Sequence, residues 1–179
     1  HGWRAIAMRP GASPLGALTA RLEHAGFPPI TRAAIAGDRD ALGAHLRADA
    51  ARRGPIVLVV DQLEELFTLC DSDRVRQAFL AAILAAADDP SSPVKVVLSM
   101  RADFLDRLAG HKHFLAELSR GLFFLTAPDQ ENLRETLVRP AQLAGYSFES
   151  DDIIDDMMQA ATSRGALPLL SFAATKLWD

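Results

Sequence analysis

The sequence predicts an α/β fold: a parallel sheet with helices between its strands, followed by a small all-helical part. Three observations carry this. The runs Ile56-Val57-Leu58-Val59-Val60 and Val94 to Met100 are rich in β-branched residues and apolar at nearly every position. Strands buried on both faces of a parallel sheet have that composition. The stretches between the runs repeat apolar residues at three- and four-residue steps, the period of a helix. After Pro128 only helical periodicity remains. The boundary is drawn there, with residues 1–128 as the α/β part and 129–179 as the helical part.

Each element has its own local reason. Arg4 to Arg9 is a first short apolar run and reads as a strand. Pro14 to Ala25 sets Leu15, Leu18 and Leu22 at helical spacing. Asp38 to Arg53 does the same with Leu42 and Leu46, and Gly54-Pro55 is a helix stop followed by a strand start. Pro55 to Val60 is the second strand. Asp73 to Ala87 is helical through Val75, Phe79, Ile83 and Ala86, and Val94 to Met100 is the third strand. Alternation of strand and helix is the signature of a doubly wound sheet. A fourth apolar run spans Leu122 to Thr126. Beyond it, Asp129 to Gly145, Ser150 to Ser163 and Leu167 to Trp178 read as helices. Asp129 caps the first, with Asn132 rather than Glu at the third position. Ser150-Asp151-Asp152 caps the second and sets acidic groups where the helix dipole favours them.

Composition narrows the function classes. The chain has 179 residues, 49% of them apolar, enough for a core without staples. Its one cysteine, Cys70, excludes an internal disulfide and a cysteine-built zinc site, which points to a reducing, cytoplasmic setting. No apolar run approaches the roughly 18 residues of a membrane span. A net charge of −4 and scattered arginines (Arg32, Arg47, Arg52, Arg53, Arg120, Arg139) argue against nucleic acid, which calls for a basic stripe. The chain opens on His1 rather than Met and ends on a stretch that still reads as helix, so both ends look cut from something longer.

The most informative stretch is Val57-Leu58-Val59-Val60-Asp61-Gln62-Leu63-Glu64-Glu65-Leu66. Asp61 stands where a buried strand runs out at its carboxyl edge, the place where open α/β sheets bind ligands. A carboxylate there can hold Mg2+, and a glutamate one turn later can orient or deprotonate an attacking water. The plainer reading is a strand followed by a helix with an acidic first turn. Glu64 and Glu65 lie about 100° apart on a helix, so at most one of them is well aimed. The third strand runs into Ser99-Met100-Arg101-Ala102-Asp103. Arg101 can meet a γ-phosphate with its planar fork, or it can pair with Asp103, Asp106 or a neighbouring carboxylate.

These residues resemble the STAND class of P-loop NTPases, specifically the AAA-like bacterial group called novel STAND type 1. Leu58 to Phe67 resembles the group's Walker B strand and acidic turn, and Leu98 to Phe104 its sensor strand. Gly165-Ala166-Leu167-Pro168-Leu169-Leu170 resembles the Gly-x-Pro segment of its helical lid, and Leu122 to Gly145, with Val138-Arg139-Pro140-Ala141, fits the linking stretch. The resemblance implies an ASCE-type parallel-sheet core followed by a helical lid, with ATP and Mg2+ as cofactors and signal transduction as the role. Asp61 would coordinate Mg2+, Glu64 or Glu65 would position water, Arg101 would sense the γ-phosphate, and Pro168 would contact the base. Pro168 also fits a buried helix start, with proline in the first turn. The group's members join this domain to WD repeats or to effector domains such as kinases and transcription factors, and homo-oligomers fit the same picture.

The phosphate loop of that family, ending in Gly-Lys-Ser or Gly-Lys-Thr, is absent. Gly11-Ala12-Ser13-Pro14-Leu15-Gly16-Ala17-Leu18 has the glycine spacing, yet Ala17 and Leu18 stand where Lys and Ser or Thr belong. Pro14 also removes a backbone donor. The first strand and its loop are therefore expected before His1, and ATP hydrolysis is expected of the longer protein rather than of this stretch alone. The alternative is a non-catalytic scaffold or oligomerisation module that keeps the fold without turnover. His111-x-His113 lacks the partners of a metal site. Asp151, Asp152, Asp155 and Asp156 lack the glycine turn of a calcium loop, and Met157 and Met158 beside Ile153 and Ile154 read as core.

Overall fold

The computed structural model describes residues 2–118, 121–126, 128–160, 170–172 and 174–176. It divides into two compact units, His1–Leu122 and Phe123–Asp179. In the first, strands β1 (Arg4–Met8), β2 (Ile56–Val60) and β3 (Val94–Leu98) form a parallel sheet in the order β1-β2-β3. The register sets Met8 beside Val60 and Val60 beside Leu98. Parallel neighbours need long crossovers. Helices α1 (Pro14–His24), α2 (Arg32–Gly37) and α3 (Ala41–Arg53) supply the first, and α4 (Glu65–Thr68) and α5 (Asp73–Ala87) the second. A 3₁₀ helix (Ala102–Gly110) and α6 (Lys112–Leu118) follow β3.

Local chemistry explains the helix limits. Pro14 opens α1, where its missing N–H costs nothing. Thr31 Oγ1 accepts the Ala34 amide at 3.1 Å to cap α2, and Ser72 caps α5 through Val75. Gly54, at φ +94°, closes α3 in a conformation that a residue with a Cβ resists. The helix expected over 38–53 begins only at Ala41, because Asp38 takes the Asp40 amide at 2.9 Å in the turn before it. Helix α2 was not legible, having six residues and one buried anchor, Ile35. The run Leu122 to Thr126 joins no strand, and Phe123, Phe124 and Leu125 are exposed there.

The core is made of the residues that the helical periodicity picked out. Leu15, Leu18, Leu22, Leu42, Leu46, Phe79, Ile83 and Ala86 pack with Ile6, Met8, Ile56, Leu58, Val60 and Val94 of the sheet. A Cβ on Gly43 would lie 3.1 Å from the Ala86 Cα, so α3 and α5 approach closely only because that position is bare. The strands differ from expectation in one respect. Helices α1, α2 and α3 all meet α5 and so line one face of the sheet, whereas Ala5, Ala7 and Val97 on the other face are exposed. Apolar runs marked these segments as strands but did not reveal that, within this unit, helices cover a single face.

At the amino edge of the sheet, Asp49 of α3 is buried among arginines. Its carboxylate accepts from Arg4 Nη2 at 2.6 Å and Arg53 Nε at 2.8 Å, and both guanidiniums lie over the Phe27 ring. Burial alone would raise the Asp49 pKa. Hydrogen bonds from Arg53 and Arg4, with their charges, outweigh it and hold the carboxyl below its ordinary value.

In the second unit, α7 (Gln130–Leu143) and α8 (Asp151–Ala160) pack through Leu137, Ile154 and Leu170, with Met157 and Met158 against them. Arg134 pairs with Asp151 at 2.9 Å and Asp155 at 2.6 Å, so that acidic face is held by a guanidinium. Asp129 Oδ1 caps α7 by accepting the Asn132 amide at 2.8 Å. Asp129→Ala is expected to destabilise this unit by about 1 kcal/mol and Asp129→Asn by much less. Urea titration followed by far-ultraviolet circular dichroism checks it, and equal losses in both variants would discount the cap.

Candidate functional site

The in-register parallel sheet builds the site. One residue past each strand, Arg9, Asp61 and Ser99 stand in a row across the carboxyl edge. The ladder runs on through Asp61 N to Met8 O at 2.9 Å and Ser99 N to Val60 O at 3.0 Å. Ser99 is the hub. Its hydroxyl donates to Asp61 Oδ1 at 2.6 Å and accepts the Gln62 amide at 3.1 Å, while its carbonyl takes the Leu63 amide at 2.9 Å. Gln62 sits at φ +58°, a left-handed conformation costly for a residue with a side chain. The two bonds to Ser99 and the burial of Leu63 and Leu66 hold that turn in place.

The turn presents three carboxylates. Asp61 Oδ2 accepts from Arg9 Nε at 3.3 Å. The Ser99 hydroxyl first, then Arg9, hold its carboxyl below the usual carboxylate range, so it is ionised at neutral pH. Glu65 Oε2 accepts the Gly11 amide at 2.9 Å, tying the loop after β1 to the acidic turn. Glu64 Oε2 receives only a long contact from the Arg101 amide, at 3.4 Å. The two glutamates thus face opposite neighbours, Glu65 toward β1 and Glu64 toward the end of β3.

Arg101 takes the ion-pair alternative. Its Nε and Nη2 donate to Asp103 at 3.1 and 2.7 Å, raising the guanidinium pKa and lowering that of the carboxyl. Its guanidinium also lies 5.8 Å from the centre of the Phe104 ring. Arg101 nevertheless stands at the same edge as Asp61 and Glu64, and it is 69% exposed, free to turn. Pro168 and the Gly165 to Leu169 segment lie outside the described residues. Arg9 escaped the sequence reading as a site residue. Its signal was positional: one residue past β1, as Asp61 is past β2, which becomes informative only when the register is known.

The donor set fits a hard cation held in part by its ligand. Mg2+ is commonly bound through one or two carboxylates, with water and substrate phosphates completing the octahedron. Asp61, with 43% of its side chain exposed and Ser99 beside it, meets that need. Among the described residues no group of three His, Cys, Asp or Glu gathers into an all-protein cage. A hollow of about 280 Å3, lined by Arg39, Leu80, Leu84 and Phe114 among others, includes none of these site residues. Among the described residues no helix is long and apolar enough to cross a membrane.

Comparison with curated proteins and with solved structures found no match. Comparison with protein-family models did: the model described as Novel STAND NTPase 1 matches residues 1–179. That match spans the row Arg9, Asp61 and Ser99 together with the acidic turn and Arg101, and the chain belongs to the Novel STAND NTPase 1 family.

Proposed function

We propose that the carboxyl edge of this sheet is the magnesium and γ-phosphate side of an ATP site, and that the domain works as a nucleotide-dependent signalling switch. The observation that supports it most is Asp61, ionised, turned outward by Ser99 and flanked by Glu64. Bound Mg2+ supplies charge neutralisation at the terminal phosphates. Asp61 is its protein ligand. Glu64 positions the attacking water in preference to Glu65, whose carboxylate is engaged by the Gly11 amide. Arg101 exchanges Asp103 for the γ-phosphate, a partner present only in the triphosphate state, and this differential contact drives the switch. By the family resemblance alone, Pro168 would contact the base. The parent protein is a cytoplasmic regulator in which this domain controls a fused effector or repeat domain.

A scaffold without turnover is the second reading, favoured by one observation. The Gly11 to Gly16 loop is no phosphate cradle: the Gly11 amide is given to Glu65 and Pro14 has no amide to give. On the switch reading a phosphate loop for this site would come from outside these 179 residues. Mg-ATP calorimetry on this chain, and on one extended upstream by its natural sequence, separates the two. Binding by the extended chain supports the switch, and binding by neither supports the scaffold. In a chain that turns over ATP, Glu64→Gln is expected to slow hydrolysis by about a hundredfold or more while leaving binding intact. Glu65→Gln should slow it much less, and the reverse order would exchange their roles.

A further inference from the structure

Asp61 has two carboxylate oxygens, and each has a partner: the Ser99 hydroxyl on Oδ1 and the Arg9 guanidinium on Oδ2. The first partner is neutral and lies in a turn held by several bonds. The second is a cation in a single contact of 3.3 Å, on a side chain 62% exposed. Pro10 accounts for its placement. A residue before proline is pushed into extended backbone, so Arg9 continues the line of β1 past Met8 and arrives beside Asp61. One step on, Gly11 is fastened to Glu65, which holds the loop backbone while leaving the Arg9 side chain free to turn. A guanidinium has five donors and no acceptor, so it offers a metal ion no lone pair and can only compete with it for the carboxylate. Two positive groups at one carboxylate also repel.

We propose that Arg9 is a built-in counter-cation of Asp61, occupying Oδ2 in the metal-free state and released when a divalent cation binds. The inference rests on the reading of Asp61 as a magnesium ligand and adds a competitor that sets the metal affinity. Arg9 keeps the acidic turn neutralised while the site is empty. Once released, it is a free cation at the edge where the phosphates lie. The contact is exposed and single, so its hold is weak and a cation at ordinary concentration can displace it.

The test uses Mn2+ without nucleotide, followed by its electron spin signal, on wild type, Arg9→Gln, Arg9→Lys and Asp61→Asn. In parallel, the Arg9 Nε–H resonance is followed as Mg2+ is added. Arg9→Gln is expected to bind Mn2+ about two- to fivefold more tightly than wild type. Arg9→Lys should lie near wild type, and Asp61→Asn should lose the site. The Arg9 resonance is expected to move with the Mg2+ midpoint in wild type and to stay still in Asp61→Asn. Binding that needs Asp61 but is unchanged or weaker in Arg9→Gln overturns the inference and leaves the magnesium reading standing. So does an Arg9 resonance that stays still as the Asp61 site fills. Absence of Asp61-dependent Mn2+ binding in every variant overturns the inference, and Mg-ATP binding by the extended chain that is unchanged in Asp61→Asn overturns the magnesium reading.

Discussion

Asp61→Ala is expected to weaken Mg2+-dependent ATP binding by more than about a hundredfold in a chain that supplies the phosphate loop. Loss of a group that merely orients a metal ligand costs 10- to 100-fold, and removing the ligand itself should exceed that. Asp61→Asn is the sharper variant. It keeps an oxygen for the Ser99 hydroxyl, and with it the Gln62 turn, but loses the charge. Equal losses in Ala and Asn therefore locate the effect in the charge rather than in the turn. Calorimetry with and without Mg2+ reads the result directly. The pH dependence has a definite sign. Ser99 and Arg9 depress the Asp61 pKa, so the advantage of wild type over Asp61→Ala in Mg2+ binding should persist as pH falls from neutral to about 4 and be lost only below it, whereas the nucleotide's own phosphate titrates alike in both proteins. An Asp61→Ala protein with the metal dependence of wild type would reduce Asp61 to an acidic first turn.

The second large effect is structural and lies at the other edge of the sheet. Asp49→Ala is expected to lower unfolding free energy by about 3 kcal/mol, because it leaves Arg4 and Arg53 without their carboxylate. The figure sits at the low end for a broken buried pair. Only Asp49 is fully buried, and the arginines, 29% and 40% exposed, can turn partly to water. Arg4 has little latitude, since its Nε is buried and already lacks a partner. The Asp49 pKa is depressed in the folded chain, so its contribution is complete above the unfolded carboxylate value, about 4, and is lost as pH falls through the lower folded value. Urea titrations across that range should show an acid decline in wild type that Asp49→Asn flattens. A loss below about 0.5 kcal/mol in Asp49→Ala would make the cluster incidental.

Much of the fold was legible, and the reasons are local. Short apolar runs marked three strands to within two residues of their observed ends, and apolar residues at helical spacing, leucines in α1 and α3 and Phe79, Ile83 and Ala86 in α5, named the buried faces. Asp129 and Gly54 marked helix limits because their chemistry acts within four residues of chain. The short elements α2, the 3₁₀ helix and α6 were hidden, since six to nine residues hold too few turns to display a period. The family resemblance was also legible, carried by the acidic turn after β2 and the Ser-x-Arg after β3.

The sequence by itself determined that Asp61 stands where a strand runs out, that Glu64 and Glu65, about 100° apart on a helix, cannot both aim at one point, and that Arg101 leaves β3 beside acidic neighbours. Each of these follows from side-chain sterics and spacing along a few residues. Only the tertiary structure decided that Arg9 and Ser99 divide the Asp61 carboxylate between them, that Glu65 holds Gly11, that Arg101 chooses Asp103, and that Asp49 is buried among arginines. Except for the choice of Asp103, which turns on how an exposed guanidinium settles, and the Asp49–Arg53 contact, which spans one turn of α3, those pairings join residues 38 to 54 positions apart. They depend on strand register, which the backbone ladder sets, and on which face of the sheet the helices bury. Neither quantity is written in any one segment.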